Sequence, residues 1–139
     1  MTDITFRDAR DDDVSAVLEL WRQADAPPTV TDSEVAVRAV IERDDDALLL
    51  AVAGTTVIGT LIATWDGWRG NMYRLAVHPD YRRRGVATRL VSEGEDRLRA
   101  RGCRRITALV LEDETHAVEF WSRVGYTTRP GMARYKRNL

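Results

Sequence analysis

Leu75-Ala76-Val77-His78-Pro79-Asp80-Tyr81-Arg82-Arg83-Arg84-Gly85-Val86-Ala87-Thr88 is the stretch on which the reading of this chain turns. Its first residues close an apolar run from Asn71 to Val77, which reads as a strand ending before Pro79. From Gly85 to Arg101 the pattern becomes helical, with Val86, Leu90, Gly94 and Leu98 in one i, i+4 row and Gly102 placed as its C-cap. A strand-to-helix junction presents free backbone N–H groups and the positive end of the helix dipole, which suits a phosphate. Gly85 and Ala87 let an anion approach the main chain. Arg82, Arg83 and Arg84 add charge, and guanidinium grips phosphate bidentately. There is no GxxxxGK[ST] sequence and no GxGxxG after a strand, so the Walker and dinucleotide-binding readings fit worse.

Outward from this junction the chain alternates plainly. Ile4 to Arg7 reads as a strand. Asp11 to Asp13 precede a helix whose apolar face is Val14, Val17, Leu18 and Trp21. Pro27-Pro28 breaks it, and Asp32 or Ser33 caps a second helix carrying Val37, Val40 and Ile41, ended by Asp44 to Asp46. Ala47 to Ala53 is a buried strand by its apolar run. Thr56 to Trp65 is another, with Gly59 hinting at a bulge, and Asp66-Gly67 turns into the strand Asn71 to Val77. After the long helix come a strand from Arg105 to Val110, a helix from Thr115 to Val124 stopped by Gly125, and one or two closing strands from Tyr126. A hairpin meander followed by a β-α-β crossover predicts an α/β (mixed α+β) fold, a mixed and mostly antiparallel sheet with helices on both faces.

The chain has 139 residues, the size of one domain, and residues 1–139 read as a single one. The formal net charge of −1 argues against nucleic acid or an anionic membrane as the main partner. Cys103 is the one cysteine, so no internal disulfide is available and a reducing, cytoplasmic setting is expected. No apolar run approaches about 18 residues, and the start Met1-Thr2-Asp3 lacks the basic and apolar regions of a signal peptide.

Arg82-x-x-Gly85-x-Ala87 after Leu75-x-Val77-x-Pro79 resembles the pyrophosphate-binding motif of the GNAT acetyltransferases. About thirty residues on, Ala117-x-x-Phe120-Trp121-x-x-x-Gly125-Tyr126 resembles the family's cofactor-flanking helix. Asp66 through Arg69-Gly70 to Gly102-Cys103 is similar to a small bacterial subgroup. The resemblance implies an acetyl-CoA-dependent N-acetyltransferase that uses no metal. Its pantetheine arm would lie along Leu75, Ala76 and Val77, with the Val77 N–H as oxyanion donor. The pyrophosphate would rest on Arg82, Arg83, Arg84, Gly85, Val86, Ala87 and Thr88, with Glu114 and Trp121 also at the cofactor. Direct attack in a ternary complex leaves no role for Cys103 as nucleophile. The implied acceptor is an amine-bearing small molecule or a protein N-terminus, touched by residues 25–33 and the Asp66–Gly70 turn, where Asp25 and Asp32 offer charge for an ammonium. A homodimer is also compatible with the family.

Two departures bear on mechanism. Trp121 stands where many relatives place the Tyr that protonates the thiolate, and an indole N–H does not titrate usefully. Asn71 and Leu109 stand where relatives carry a glutamate base. Tyr73, Asp66 and Glu112 are the nearby candidates, acting through water. Asp66 reads equally as a turn residue, and Glu112 as part of the approach to a helix. A domain that binds acyl-CoA for sensing or assembly, with weak or lost catalysis, is the second reading. Against the functional readings stand plainer ones: His78 as a loop residue, Trp21 as core, and the arginines from Arg97 to Arg105 as a solvated helix end. Trp68, in a polar turn, is the better pocket or interface candidate.

Overall fold

The computed structural model describes residues 3–111 and 113–139, which form two compact units, one up to Ala108 and one from Leu109 to Leu139. The first unit contains strands β1 (Ile4–Asp8), β2 (Leu48–Ala53), β3 (Thr56–Trp65), β4 (Gly70–Val77) and β5 (Ile106–Ala108). Its helices are α1 (Val14–Gln23), α2 (Glu34–Arg43) and α3 (Val86–Ala100). The strands pair in the order β1-β2-β3-β4-β5, the first three pairs antiparallel and β4–β5 parallel. This is the mixed, mostly antiparallel sheet that the pattern predicts.

Strand alternation divides the core between two faces. Leu48, Leu50 and Val52 of β2 join Val14, Val17, Leu20 and Trp21 of α1 and Val37 of α2 in one buried cluster. The opposite face receives α3. A Cβ on Gly94, in the middle of that helix, would lie 2.9 Å from Leu61 Cδ2 and 3.0 Å from Met72 Cε. The glycine costs helix propensity, about 1 kcal/mol against alanine, and in return brings the helix axis close to the sheet.

Two irregularities shape the middle strands. Ala51 pairs with Gly59 and Val52 with Val57, so Ile58 is an extra residue in β3, beside the glycine that hints at a bulge. Thr60 pairs with Ala76 and Ile62 with Tyr73, so Arg74 and Leu75 together face Leu61. Nothing in the sequence around Arg74 marks this second bulge.

Ends of elements follow local chemistry. Asp11–Asp13 form a short 3-10 turn ahead of α1, and Ser33 rather than Asp32 caps α2, its Oγ accepting the Ala36 N–H at 3.2 Å. α3 begins at Val86, with Gly85 as its left-handed N-cap. β5 is shorter than the expected Arg105–Val110. The second unit holds α4 (Thr115–Arg123), followed by Gly125 at φ 99°. Contrary to expectation, no strand occurs among residues 126–139. That segment carries Pro130-Gly131 and a run of Arg and Lys with hardly any apolar alternation to bury.

Arg7 on β1 grips Asp13 through two nitrogens, at 2.8 and 2.9 Å, while the Arg10 N–H donates to the same carboxylate at 2.8 Å. The Arg7 hydrogen bonds, helped by that N–H, outweigh burial and hold the Asp13 carboxyl below its ordinary range. A carboxylate with a lowered folded pKa stabilises the fold fully above its unfolded value of about 3.9 and loses that contribution as pH falls through the folded value. Asp13→Asn should therefore cost about 2 kcal/mol at pH 7. Urea denaturation should show the gap to the wild type narrowing below about pH 4.

Candidate active site

β5 pairs only with Gly70, Asn71 and Met72. The outer edge of β4 from Tyr73 to Val77 is therefore left without a strand partner among the described residues. The His78 N–H donates to the Ile58 carbonyl at 2.8 Å, so His78 and Ile58 form a hydrogen-bonded pair and Val77 opposite Gly59 does not. Antiparallel alternation then turns the Val77 N–H and C=O away from β3, toward the open edge. The Val77 carbonyl accepts the Arg82 Nε at 3.3 Å, which leaves its N–H as the free group of this residue on that edge. An extended polar chain can add there as a strand would.

The edge runs directly into the turn before α3. Pro79–Tyr81 form a single 3-10 turn capped by His78, whose Nδ1 accepts the Asp80 N–H at 3.1 Å. This bears out the plain reading of His78 as a loop residue. Arg83 (φ 65°) and Gly85 (φ 78°) are both left-handed. For arginine this conformation costs about 1–2 kcal/mol, and such residues curl successive N–H groups into a concave nest. No side chain caps α3, so the N–H groups of its first turn have no intrahelical acceptor. A Cβ at Gly85 would meet no atom within 4 Å, so the space beside it is open.

The three arginines divide their work. Arg82 is tied to main chain, to Val77 as above and through Nη2 to the Ala24 carbonyl at 3.3 Å. Arg84 lies over the Tyr81 ring at 5.1 Å, and Arg83 and Arg84 are exposed without a carboxylate partner among the described residues. Val86 packs into the core beneath them while Ala87 and Thr88 stand at the surface of the turn.

The bulge in β4 is held by a relay that sequence reasoning missed. Thr60 Oγ1, fully buried, accepts the Trp21 Nε1–H at 2.9 Å and donates to the Arg74 carbonyl at 2.9 Å. Arg74 itself is left-handed, φ 53°. Its Nη2 lies 2.6 Å from both Asp32 oxygens and 2.9 Å from the Pro27 carbonyl, and its guanidinium stacks on Trp21 at 5.0 Å. Asp32, expected to offer charge to an ammonium, is instead neutralised by Arg74. A mid-strand arginine and a distant loop aspartate carry no sequence signal of this pairing.

Tyr73 is 42 % exposed on β4. Asp66 Oδ1 accepts the N–H groups of Trp68 and Arg69, each at 2.8 Å, and these bonds lower its pKa. It is a turn-former and a weaker base than an ordinary aspartate. Cys103 Sγ donates to the Arg105 carbonyl at 3.2 Å. Glu114 and Trp121 belong to the second unit, where Glu114 precedes α4 and Trp121 packs edge-on to Phe120 and Tyr126. Glu112 lies outside the described residues. Among those residues no cluster of three or more metal-ligating side chains occurs, and no helix is long and apolar enough to cross a membrane.

The sequence profile of the acetyltransferase (GNAT) family matches residues 14–126. An acetyltransferase of Pectobacterium atrosepticum is 36% identical over 119 residues, covering 86% of this chain and 84% of that protein. Two solved structures share the fold. One is an N-acetyltransferase from Thermoplasma acidophilum in complex with coenzyme A (TM-score 0.82, 17% identity, 91% of each chain). The other is an aminoglycoside antibiotic 6′-N-acetyltransferase from Acinetobacter baumannii (TM-score 0.77, 20% identity, 99% of each chain).

The relay makes a direct prediction. Thr60→Val keeps the volume but strands a buried indole N–H and a strand carbonyl. It should cost about 3 kcal/mol by chemical denaturation, where a surface threonine would cost under about 0.5 kcal/mol.

Proposed function

Because the chain belongs to the GNAT acetyltransferase family, we propose that it transfers the acetyl group of acetyl-CoA to a primary amine by direct attack, residues 1–139 acting as one domain. The observation that carries this reading is the unpaired edge of β4 leading straight into the uncapped start of α3. Leu75, Ala76 and Val77 bond the pantetheine amides along that edge. The N–H groups from Arg82 to Thr88 cradle the pyrophosphate, and Arg83 and Arg84 neutralise it. The family's motif adds Glu114 and Trp121 as cofactor residues by sequence.

The chemistry asked of the protein is modest. The amine nitrogen bonds to the thioester carbon, the Val77 N–H stabilises the oxygen that gains charge, and the C–S bond breaks. The amine gives up one proton and the departing sulfur gains one. Trp121 has no titrating proton to supply, so solvent protonates the thiolate. Tyr73 is the candidate to relay the amine's proton to water, its hydroxyl taking up one proton as it gives its own away, with Glu112 as the alternative. Asp66 is withdrawn from this role by its turn bonds.

Without a strong base, the acceptor must arrive neutral. For a lysine-like amine of pKa about 10.4 this costs roughly 4–5 kcal/mol at pH 7, whereas an α-amine near 8 costs about 1 kcal/mol. An α-amino group or a small-molecule amine of low pKa is therefore the favoured acceptor. A small-molecule amine also agrees with the aminoglycoside acetyltransferase that shares the fold. The second reading, an acyl-CoA-binding sensor, draws on Trp121 and on the missing base, and only the enzyme releases free coenzyme A when amines are added.

Acetyl-CoA at about 100 times its dissociation constant should stabilise the fold by about 2.7 kcal/mol, read as a rise in melting temperature. Arg84→Glu with Gly85→Glu should abolish the rise. No rise in the wild type at saturating ligand would sink the cofactor site. Among amines, release of coenzyme A at pH 7 should be faster with α-amines than with lysine side chains, and the lysine rate should climb roughly tenfold per pH unit up to about pH 10.

A further inference from the structure

Arginines along α3 fall into two groups. Arg89 is held by Glu93, Arg97 by Asp8, Arg99 by Asp96, and Arg101 by Asp44 and Asp46. These are structural ion pairs, and they separate Arg97, Arg99 and Arg101 from the rest of the basic cluster. The arginines that flank the helix have no carboxylate partner among the described residues: Arg82, Arg83 and Arg84 before it, Arg104 and Arg105 after it. The first group sits at the turn assigned above to a pyrophosphate. The second, with Arg69 from the β3–β4 turn, lines a cleft of about 390 Å³ together with Trp65 and Trp68.

No hydrogen bond runs from the Arg104 or Arg105 side chain to a carbonyl of α3 among the described residues. Two carbonyls of the last turn of α3 already receive backbone donors, Leu98 from the Arg101 and Cys103 N–H groups and Arg99 from Gly102, each at 3.0 Å. Trp68 is 70% exposed, an unusual place to leave an indole. One face of its ring is covered by the Arg69 guanidinium at 4.0 Å. The turn that presents both side chains is fixed by Asp66, so the pair is preorganised. A cleft of this size takes a small organic ligand. Free guanidinium forks ask for phosphate, and an exposed indole in a charged setting asks for a flat ring.

We propose that this cleft binds a free mononucleotide, its phosphate on Arg104 and Arg105 and its base stacked on Trp68. The site is separate from the acyl-carrier turn. α3 has 15 residues, so the two ends stand about 22 Å apart. The proposal does not rest on the acetyltransferase activity.

Equilibrium dialysis of labelled adenosine 5′-monophosphate against the full chain, with coenzyme A saturating, tests it. Binding should approach one equivalent, and adenosine alone and inorganic phosphate alone should each bind at least tenfold more weakly. Arg104→Glu with Arg105→Glu should weaken the nucleotide at least tenfold while keeping the melting-temperature rise with acetyl-CoA, which also reports that the variant is folded. Trp68→Ala should lose affinity for the nucleotide but not for phosphate. Arg84→Glu with Gly85→Glu should keep the nucleotide, so failure of the acyl-CoA site and failure of this one read differently. The proposal is overturned if the nucleotide fails to bind, if it binds the Arg104/Arg105 double variant equally well, if phosphate alone matches it, or if only a single-stranded oligonucleotide binds.

Discussion

One buried hydroxyl organises the working edge of this protein. Thr60 takes a hydrogen bond from the indole of Trp21 and gives one to the carbonyl of Arg74. That second bond falls on the bulge, where two residues of β4 face one of β3. The bulge shifts the phase of the strand, and the phase decides that Val77 turns its N–H outward rather than into the ladder. Because the hydroxyl is fully enclosed, neither bond can be replaced by water, and the register is held tightly. Arg74 adds a second restraint. Its left-handed backbone is unfavourable for a side-chain-bearing residue, and its contacts with Asp32, Pro27 and Trp21 offset that strain.

The same arrangement joins the two halves of the proposed reaction. Asp32 and Pro27 lie between α1 and α2, in the segment expected to meet the acceptor, and Arg74 lies on the strand proposed to carry the donor. A single guanidinium thus fixes one relative to the other. Catalysis by positioning suits a site with few titrating groups, since correct placement alone removes a large share of a bimolecular barrier. In the proposed reaction the missing base restricts which amines react, while the tyrosine missing at Trp121 leaves protonation of the thiolate to solvent.

Legibility in the sequence followed locality. The turn from Pro79 to Gly85, the helix behind it and the strands on either side are set by residues within a few positions of each other. Pro79 stops a strand, Gly85 starts a helix, and the spacing of Val86, Leu90, Gly94 and Leu98 fixes its buried face. Gly59 even marked its bulge. The bulge at Arg74 had no such marker, because the residues that hold it, Trp21, Asp32 and Thr60, are distant in the chain. The basic run from Arg97 to Arg105 looked uniform in sequence. It divides because Asp8, Asp44 and Asp46 come from other elements to neutralise part of it. The closing strands expected after Tyr126 failed for a different reason: polar, proline-containing segments carry too little apolar alternation to settle their own pairing.

By itself, then, the sequence determined the order of elements as far as α4, the buried faces of α1, α2 and α3, and the turn that leads into α3, since periodicity, capping and backbone preference act over one or two turns of chain. Only the tertiary structure decided where β4 and β5 stop pairing, which way the Val77 N–H points, and which arginines lack a carboxylate partner among the described residues. Those outcomes depend on register and on hydrogen bonds and ion pairs between residues about 40 to 60 positions apart, as with Trp21–Thr60, Asp32–Arg74 and Asp44–Arg101. No local preference records such meetings, because they come about only when the sheet closes.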